Sequence, residues 1–215
     1  MEAEFWIKAW TEGRTNFHQA SYHEKMLQYF PQLSPQAGQS VLVPLCGKSK
    51  DMLWLQGLKL KVHGVELHGQ AVEAFFEENK LSPLTKTQDE HYVQYASGDI
   101  AISCGDFFKL GKKEAYDFVY DRAALVALPK EMRKGYAGVV KKALKKGGKI
   151  LLITYEYDQS KMDGPPFSIE DEEVKELFGD QFGIKLMETE ETLKEGPRLA
   201  VLESLKQKVY ILSTF

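Results

Sequence analysis

A chain of 215 residues, 43% hydrophobic and 27% charged, fits one globular domain that folds without disulfides, a metal or a partner. Its formal net charge of −3 lacks the basic excess that nucleic acid or an anionic membrane surface would call for. Two cysteines, Cys46 and Cys104, are too few for a secreted disulfide framework and read as free thiols in a reducing cytosol.

In chain order, Met1 to Trp6 shows no basic region before an apolar run, so no secretory signal and a cytoplasmic location are expected. No apolar stretch approaches the ~18 residues of a membrane span. Phe5, Trp6, Ala9 and Trp10 share one face at helical spacing, which predicts a helical extension ahead of the first strand. Short apolar runs follow at Val41 to Leu45, Lys61 to Glu66, Ile100 to Cys104, Phe118 to Asp121 and Lys149 to Tyr155. Amphipathic helical patterns separate them at Asp51 to Leu58, Gln70 to Asn79 and Glu131 to Leu144, and another spans Glu170 to Phe178. Gly147 and Gly148 read as a helix stop leading into a strand. Strands alternating with helices predict an α/β domain with a mostly parallel sheet covered on both faces.

Two departures are expected from that plan. Tyr92 to Ala96, then Ser97-Gly98-Asp99, then Ile100 to Cys104 reads as a hairpin with a glycine turn. Ile184 to Glu188 and Lys208 to Ser213 read as two strands with no helix between them, an antiparallel pair closing the sheet.

In an open α/β sheet, ligands bind outside the carboxyl ends of the strands. The residues there are Pro44 to Ser49, Glu66, Gly105 to Phe108, Asp121 and Arg122, and Tyr155 with the later loop Gly164 to Phe167. An acidic residue ending the second strand can accept both hydroxyls of an adenosine ribose, which gives Glu66 a definite expected role. The first turn carries one glycine, Gly47, and not the three of a dinucleotide fingerprint. Pro44 also removes an amide donor, which disfavours a nicotinamide or flavin ligand. The residues alone indicate an adenosine-binding doubly wound domain and leave the rest of the ligand open.

Val41-Leu-Val-Pro-Leu-Cys-Gly-Lys-Ser-Lys-Asp-Met-Leu-Trp-Leu55 resembles the signature of thiopurine S-methyltransferases. Trp6 to Trp10, Gly13, Phe17-His18-Gln19 and Val62-His-Gly-Val-Glu66 are similar to further blocks of that family. So are Tyr120-Asp-Arg-Ala-Ala-Leu125, Arg133 with Tyr136, and Gly164-Pro-Pro-Phe167. The resemblance, of the bacterial type, runs in order to about Phe178. It implies a class I, Rossmann-like methyltransferase with a seven-stranded mostly parallel sheet, helices on both faces and an antiparallel C-terminal strand. It implies one domain over residues 1–215, with residues 1–35 as a helical N-terminal lid.

The same resemblance implies S-adenosylmethionine as methyl donor, small aromatic or heterocyclic thiols as acceptors, and a detoxifying role. No metal is expected, because His23, His63, His68 and His91 form no ligand spacing with the cysteines, and a monomer is expected, because nothing in the sequence signals an interface. Trp6, Trp10, Leu45, Glu66, Gly105, Asp106 and Arg122 are then expected at the donor. Phe17, Arg122 and Phe167 are expected at the acceptor, with Arg122 catalytic. Several have a structural alternative: a solvated strand end for Glu66, a pair with Asp121 or a nearby acid for Arg122, and a core stripe for Trp6 and Trp10. Phe167 has a plain turn before a helix capped by Ser168. Cys46 reads as a buried small hydrophobe, because nothing beside it in sequence would activate it. Halide, selenium or tellurium species are alternative acceptors, and a non-enzymatic adenosine-ligand sensor is a further alternative.

Overall fold

Residues that alternate along the first strand split between two hydrophobic layers. Val41 and Val43 enter one layer, and Leu42 enters the other. This is the signature of a sheet buried on both faces. In the computed structural model, which describes residues 8, 10, 12, 19, 21–82, 84–192 and 199–215, nine strands form one sheet. They are β1 (Ser40–Pro44), β2 (Lys61–Glu66), β3 (Thr85–Gln88), β4 (Val93–Ser97), β5 (Ile100–Cys104) and β6 (Tyr116–Arg122). The last three are β7 (Leu144–Glu156), β8 (Phe182–Glu191) and β9 (Lys206–Thr214). The spatial order is β3-β4-β5-β2-β1-β6-β7-β9-β8.

The expected seven strands are present as β5-β2-β1-β6-β7-β9-β8. The central five run parallel, and β9 lies antiparallel to both β7 and β8. Two further strands extend the β5 edge, so the count among the described residues is nine and not seven. Of these, β4 is the expected hairpin partner of β5. All four residues of β3 are exposed, so no apolar alternation marks it in the sequence.

Five α-helices are found among the described residues: α1 (Glu24–Tyr29), α2 (Asp51–Gly57), α3 (Gly69–Glu78), α4 (Lys130–Ala143) and α5 (Asp171–Phe178). The first three cover one face through Met26, Met52, Leu55, Val72, Phe75 and Phe76. The other face is covered by α4 and α5 through Tyr136, Ala137, Val140, Val174 and Phe178. Truncating one such Leu or Met to Ala typically costs about 2–5 kcal/mol. The 3-10 turn Phe30–Leu33 continues α1, and Phe30 and Leu33 are buried with Met26. This part of the N-terminal segment is thus built into the core.

Within β7, Gly147 takes φ +77°, and the register against β6 shifts between Tyr116 and Phe118. The strand therefore begins directly after α4, ahead of the glycine pair, and the glycines mark an irregularity inside it.

Candidate active site

Every parallel strand delivers its carboxyl end to the same edge of the sheet, and the polar residues gathered there have uneven surroundings. Glu66 ends β2 and is only 6% exposed. Its Oε2 accepts the Gly47 N–H at 2.8 Å, and its Oε1 accepts the His68 N–H at 2.9 Å. Burial pushes its carboxyl pKa up, while the backbone bonds from His68, Gly47 and Leu67 pull it down. This is a buried, organised carboxylate and not a solvated strand end.

The turn after β1 is left-handed at two places, Leu45 (φ 48°) and Gly47 (φ 52°). Leu45 adopts a conformation that costs a non-glycine residue, which is the kind of strain that clusters at ligand sites. Cys46 N donates to Val65 O at 3.0 Å and holds the turn to β2. The Cys46 thiol is buried, and its pKa is pushed up by desolvation and then by Glu66. It behaves as the expected small hydrophobe, packed where a Cβ on Gly64 would come within 2.6 Å of its Sγ.

Trp10 lies over this turn. A Cβ on Gly47 would sit 3.1 Å from its Cζ2. Its ring stacks on His68, with centroids 6.2 Å apart and planes 13° from parallel. Glu12 N donates to Lys8 O at 2.9 Å, a helical bond that agrees with the expected helical extension. His68 is buried, and its Nδ1 has no hydrogen-bond partner among the described residues. Trp6, Phe17 and His18, all named from the sequence, lie outside the described residues.

Gly105 follows β5, and its N–H donates to Glu66 O at 2.8 Å. A Cβ there would meet His91 O at 2.5 Å and the Tyr92 ring at 2.6 Å, so the close approach requires glycine. Asp106 caps the next turn: its Oδ1 accepts Phe108 N–H at 2.9 Å, and its carbonyl accepts the Tyr92 hydroxyl at 2.7 Å. Gly105 and Asp106 therefore sit beside Glu66 on the β5 side.

Arg122 ends β6 and is half-buried. The alternative pairing with Asp121 is not found. Asp121 turns to the opposite face, where its oxygens accept Leu125 N–H at 3.1 Å and the Tyr136 hydroxyl at 2.7 Å. Burial raises the Asp121 carboxyl to about 6. Among the described residues, no carboxylate lies within ion-pair distance of Arg122. A guanidinium is always charged and presents a rigid fork of donors, so it can hold an anion here.

Phe167 N donates to Val126 O at 2.7 Å, which draws the Gly164 to Phe167 loop against the turn after β6. The Arg133 guanidinium lies 5.7 Å over the Phe167 ring, and Arg133 is itself fixed by Glu173 at 2.6 Å. Tyr157 ties the loop from below: its hydroxyl donates to Pro166 O at 2.7 Å, and its N–H donates to Ser168 Oγ at 3.0 Å. Ser168 thus braces the loop, and the N-cap position of α5 is held by Glu170, whose side chain makes no capping bond.

Sequence reasoning gave no role to His23, whose N–H donates to Asp51 Oδ1 at 2.8 Å. It precedes a helix of only six residues and carries no motif spacing, so only tertiary packing reveals it. No group of three or more His, Cys, Asp or Glu suited to a metal occurs among the described residues. Among those residues, no helix is long and apolar enough to cross a membrane.

The family model described as thiopurine S-methyltransferase matches residues 1–214 of the chain. A thiopurine S-methyltransferase of Bordetella pertussis is 46% identical over 202 residues, covering 92% of this chain and 91% of the relative. One of Nitrosospira multiformis is 41% identical over 218 residues, covering 100% and 99%. In fold, the chain is similar to the crystal structure of Burkholderia thailandensis 1,6-didemethyltoxoflavin-N1-methyltransferase with bound 1,6-didemethyltoxoflavin and S-adenosylhomocysteine. The TM-score is 0.68 at 14% identity, covering 98% of this chain and 86% of that one.

Proposed function

The chain belongs to the thiopurine S-methyltransferase family, and from that membership we propose how its strand-end site works. The enzyme transfers a methyl group from S-adenosylmethionine to the sulfur of aromatic and heterocyclic thiols such as thiopurines. The residues present fit such a donor. The cradle beside Glu66 admits only glycine at Gly105, and at the same edge the buried His68 Nδ1 has no partner among the described residues. When bound, the donor supplies a methyl group on a cationic sulfur, which leaves as a neutral thioether.

The observation that carries the proposal is the Glu66 carboxylate, buried and aligned by two amides at the carboxyl end of β2. Each oxygen keeps capacity for a further hydrogen bond and can accept a ribose hydroxyl. Gly105 and Asp106 line the adenine side. Leu45 and the turn through Gly47 border the amino-acid part of the donor. Trp10, over Gly47, presents an aromatic face suited to a sulfonium.

Arg122 holds the acceptor sulfur as its anion, the reactive form of a thiol. A guanidinium has no lone pair free to take the proton, but its charge lowers the thiol's pKa. Phe167, braced against Arg133, forms an apolar wall of the acceptor pocket. Alignment of nucleophile, methyl and leaving sulfur with water excluded is the main contribution, worth up to roughly 7–11 kcal/mol in ideal cases. The working form is a cytoplasmic monomer acting in detoxification.

Calorimetry tests the ligand assignment: S-adenosylmethionine and S-adenosylhomocysteine bind, and NAD and NADP do not. Binding of a nicotinamide dinucleotide in their place would overturn it.

A further inference from the structure

His23 is tied through the Asp51 carboxylate to Tyr120 on β6. Its backbone N–H donates to Asp51 Oδ1 at 2.8 Å, and Oδ2 of Asp51 accepts the Tyr120 hydroxyl at 2.9 Å. Tyr120 and Arg122 are two residues apart on β6, so both face the side of the sheet that α1 covers. The Arg122 guanidinium is close enough to the His23 imidazole to act on its charge, which makes the two side chains neighbours at this strand end. It is 4% exposed, and its Nδ1 has no hydrogen-bond partner among the described residues. A buried polar atom without a partner is costly, and in a native fold it needs a reason.

Burial first, and then the nearby cations, keep the ring neutral. Burial, Arg122 and Lys25 oppose protonation and Asp51 favours it, which leaves the pKa at about 4. At neutral pH the ring is an uncharged imidazole, and with the proton on Nε2 its Nδ1 is an acceptor.

We propose that Nδ1 of His23 accepts the ring N–H of heterocyclic thione acceptors while Arg122 holds their sulfur. This deepens the functional reading and rests on Arg122 as the acceptor site. In such heterocycles the N–H and the sulfur flank one carbon, so adjacent acceptor and cationic groups match them. Sulfur donates a lone pair to the methyl carbon as the bond from that carbon to the donor sulfur breaks onto the donor sulfur. The C=S bond becomes C–S and the ring C–N bond becomes C=N. The proton leaves nitrogen for His23 Nδ1 and passes from there to water. A simple aryl thiol has no such N–H and gains nothing from His23.

The test compares a heterocyclic thione with thiophenol, in the wild-type enzyme and in His23→Leu, His23→Asn and His23→Gln. The bond to Asp51 comes from the backbone and survives all three. Asn places a carbonyl near the Nδ1 position, and Gln places one near Nε2. Two readouts are taken: equilibrium binding to enzyme loaded with S-adenosylhomocysteine, and kcat/KM. His23→Leu and His23→Gln are expected to weaken both by about 10-fold for the thione, with Asn recovering most of the loss. Thiophenol is expected to change by no more than about 2-fold. Equal losses for the two acceptors, or equal behaviour of Asn and Gln, would overturn the proposal. Should His23→Leu lose S-adenosylhomocysteine binding through misfolding, the contrast between Asn and Gln decides. A wild-type enzyme that binds S-adenosylhomocysteine and takes neither acceptor would overturn the reading of Arg122 itself.

Discussion

Oε2 of Glu66 accepts the N–H of Gly47 at 2.8 Å, which ties the end of β2 to the turn after β1. On the proposed reading, the carboxylate shapes the donor pocket as well as lining it. Glu66→Ala is expected to weaken S-adenosylmethionine binding by roughly 1–3 kcal/mol, the range for a lost charged hydrogen bond. Burial also raises the Glu66 pKa, so donor affinity should fall as the pH drops through that raised value. Calorimetry across pH checks both. Unchanged affinity in the variant would remove Glu66 from the donor site.

Lys25 of α1 reaches across to β8, where Glu188 accepts at 2.9 Å and Glu190 adds a second ion pair. The ammonium is nearly buried and Glu190 is half-exposed, so the pairing is stronger than a surface bridge yet partly screened. Lys25→Ala is expected to cost roughly 1–3 kcal/mol. For a chain of this size that lowers Tm by about 2–4 °C per kcal/mol. Hydrogen exchange within Glu24–Tyr29 should quicken in parallel. An unchanged melting curve would show that α1 docks through Met26 and Phe30 alone.

His63 spans β5 and β6 from the middle of β2: its Nε2 pairs with Ser103 Oγ at 2.7 Å, and its Nδ1 pairs with the Tyr116 hydroxyl. Burial, then Lys112, lowers its pKa from 6.5 to about 4. A depressed folded pKa means that this stability is present above pH 6.5 and is lost as the pH falls through that window to about 4. That fall from 6.5 to about 4 corresponds to on the order of 3 kcal/mol. Asp121 acts with the opposite sign: its pKa, raised from 3.8 to about 6, contributes stability below 3.8 that is lost as the pH rises through 6. Urea titrations from pH 7 to 4 should therefore show a shallower acid loss in His63→Gln than in the wild type. Parallel curves would contradict the His63 assignment.

Much of this arrangement was legible in the sequence because apolar periodicity places strand ends. The run Lys61 to Glu66 coincides with β2 residue for residue, which places Glu66 at the carboxyl end of that strand without any knowledge of its partners. The exposed β3 was not legible, since Thr85, Lys86, Thr87 and Gln88 carry no alternation. Asp121 and Arg122 are adjacent in sequence, yet strand alternation sends them to opposite faces, so their pairing was a fair alternative that only the fold removes. His23 and Asp51 are 28 residues apart, and nothing in either local pattern announces their bond.

The central claim is that Arg122 presents an anionic thiol to the methyl donor. Its most direct test is methyl transfer from labelled S-adenosylmethionine to a series of aryl thiols of graded pKa, with halide, selenite and tellurite alongside. Rates are followed against pH in the wild type, Arg122→Ala and Arg122→Lys. The expected result is label on thiol sulfur. Arg122→Ala should lose most for thiols whose pKa lies above the assay pH, by one pKa unit per ~1.4 kcal/mol of lost attraction. Lysine should rescue only in part, because it restores the charge without the planar fork. A loss equal for every thiol at every pH, or transfer to the inorganic acceptors and to no thiol, would contradict the claim.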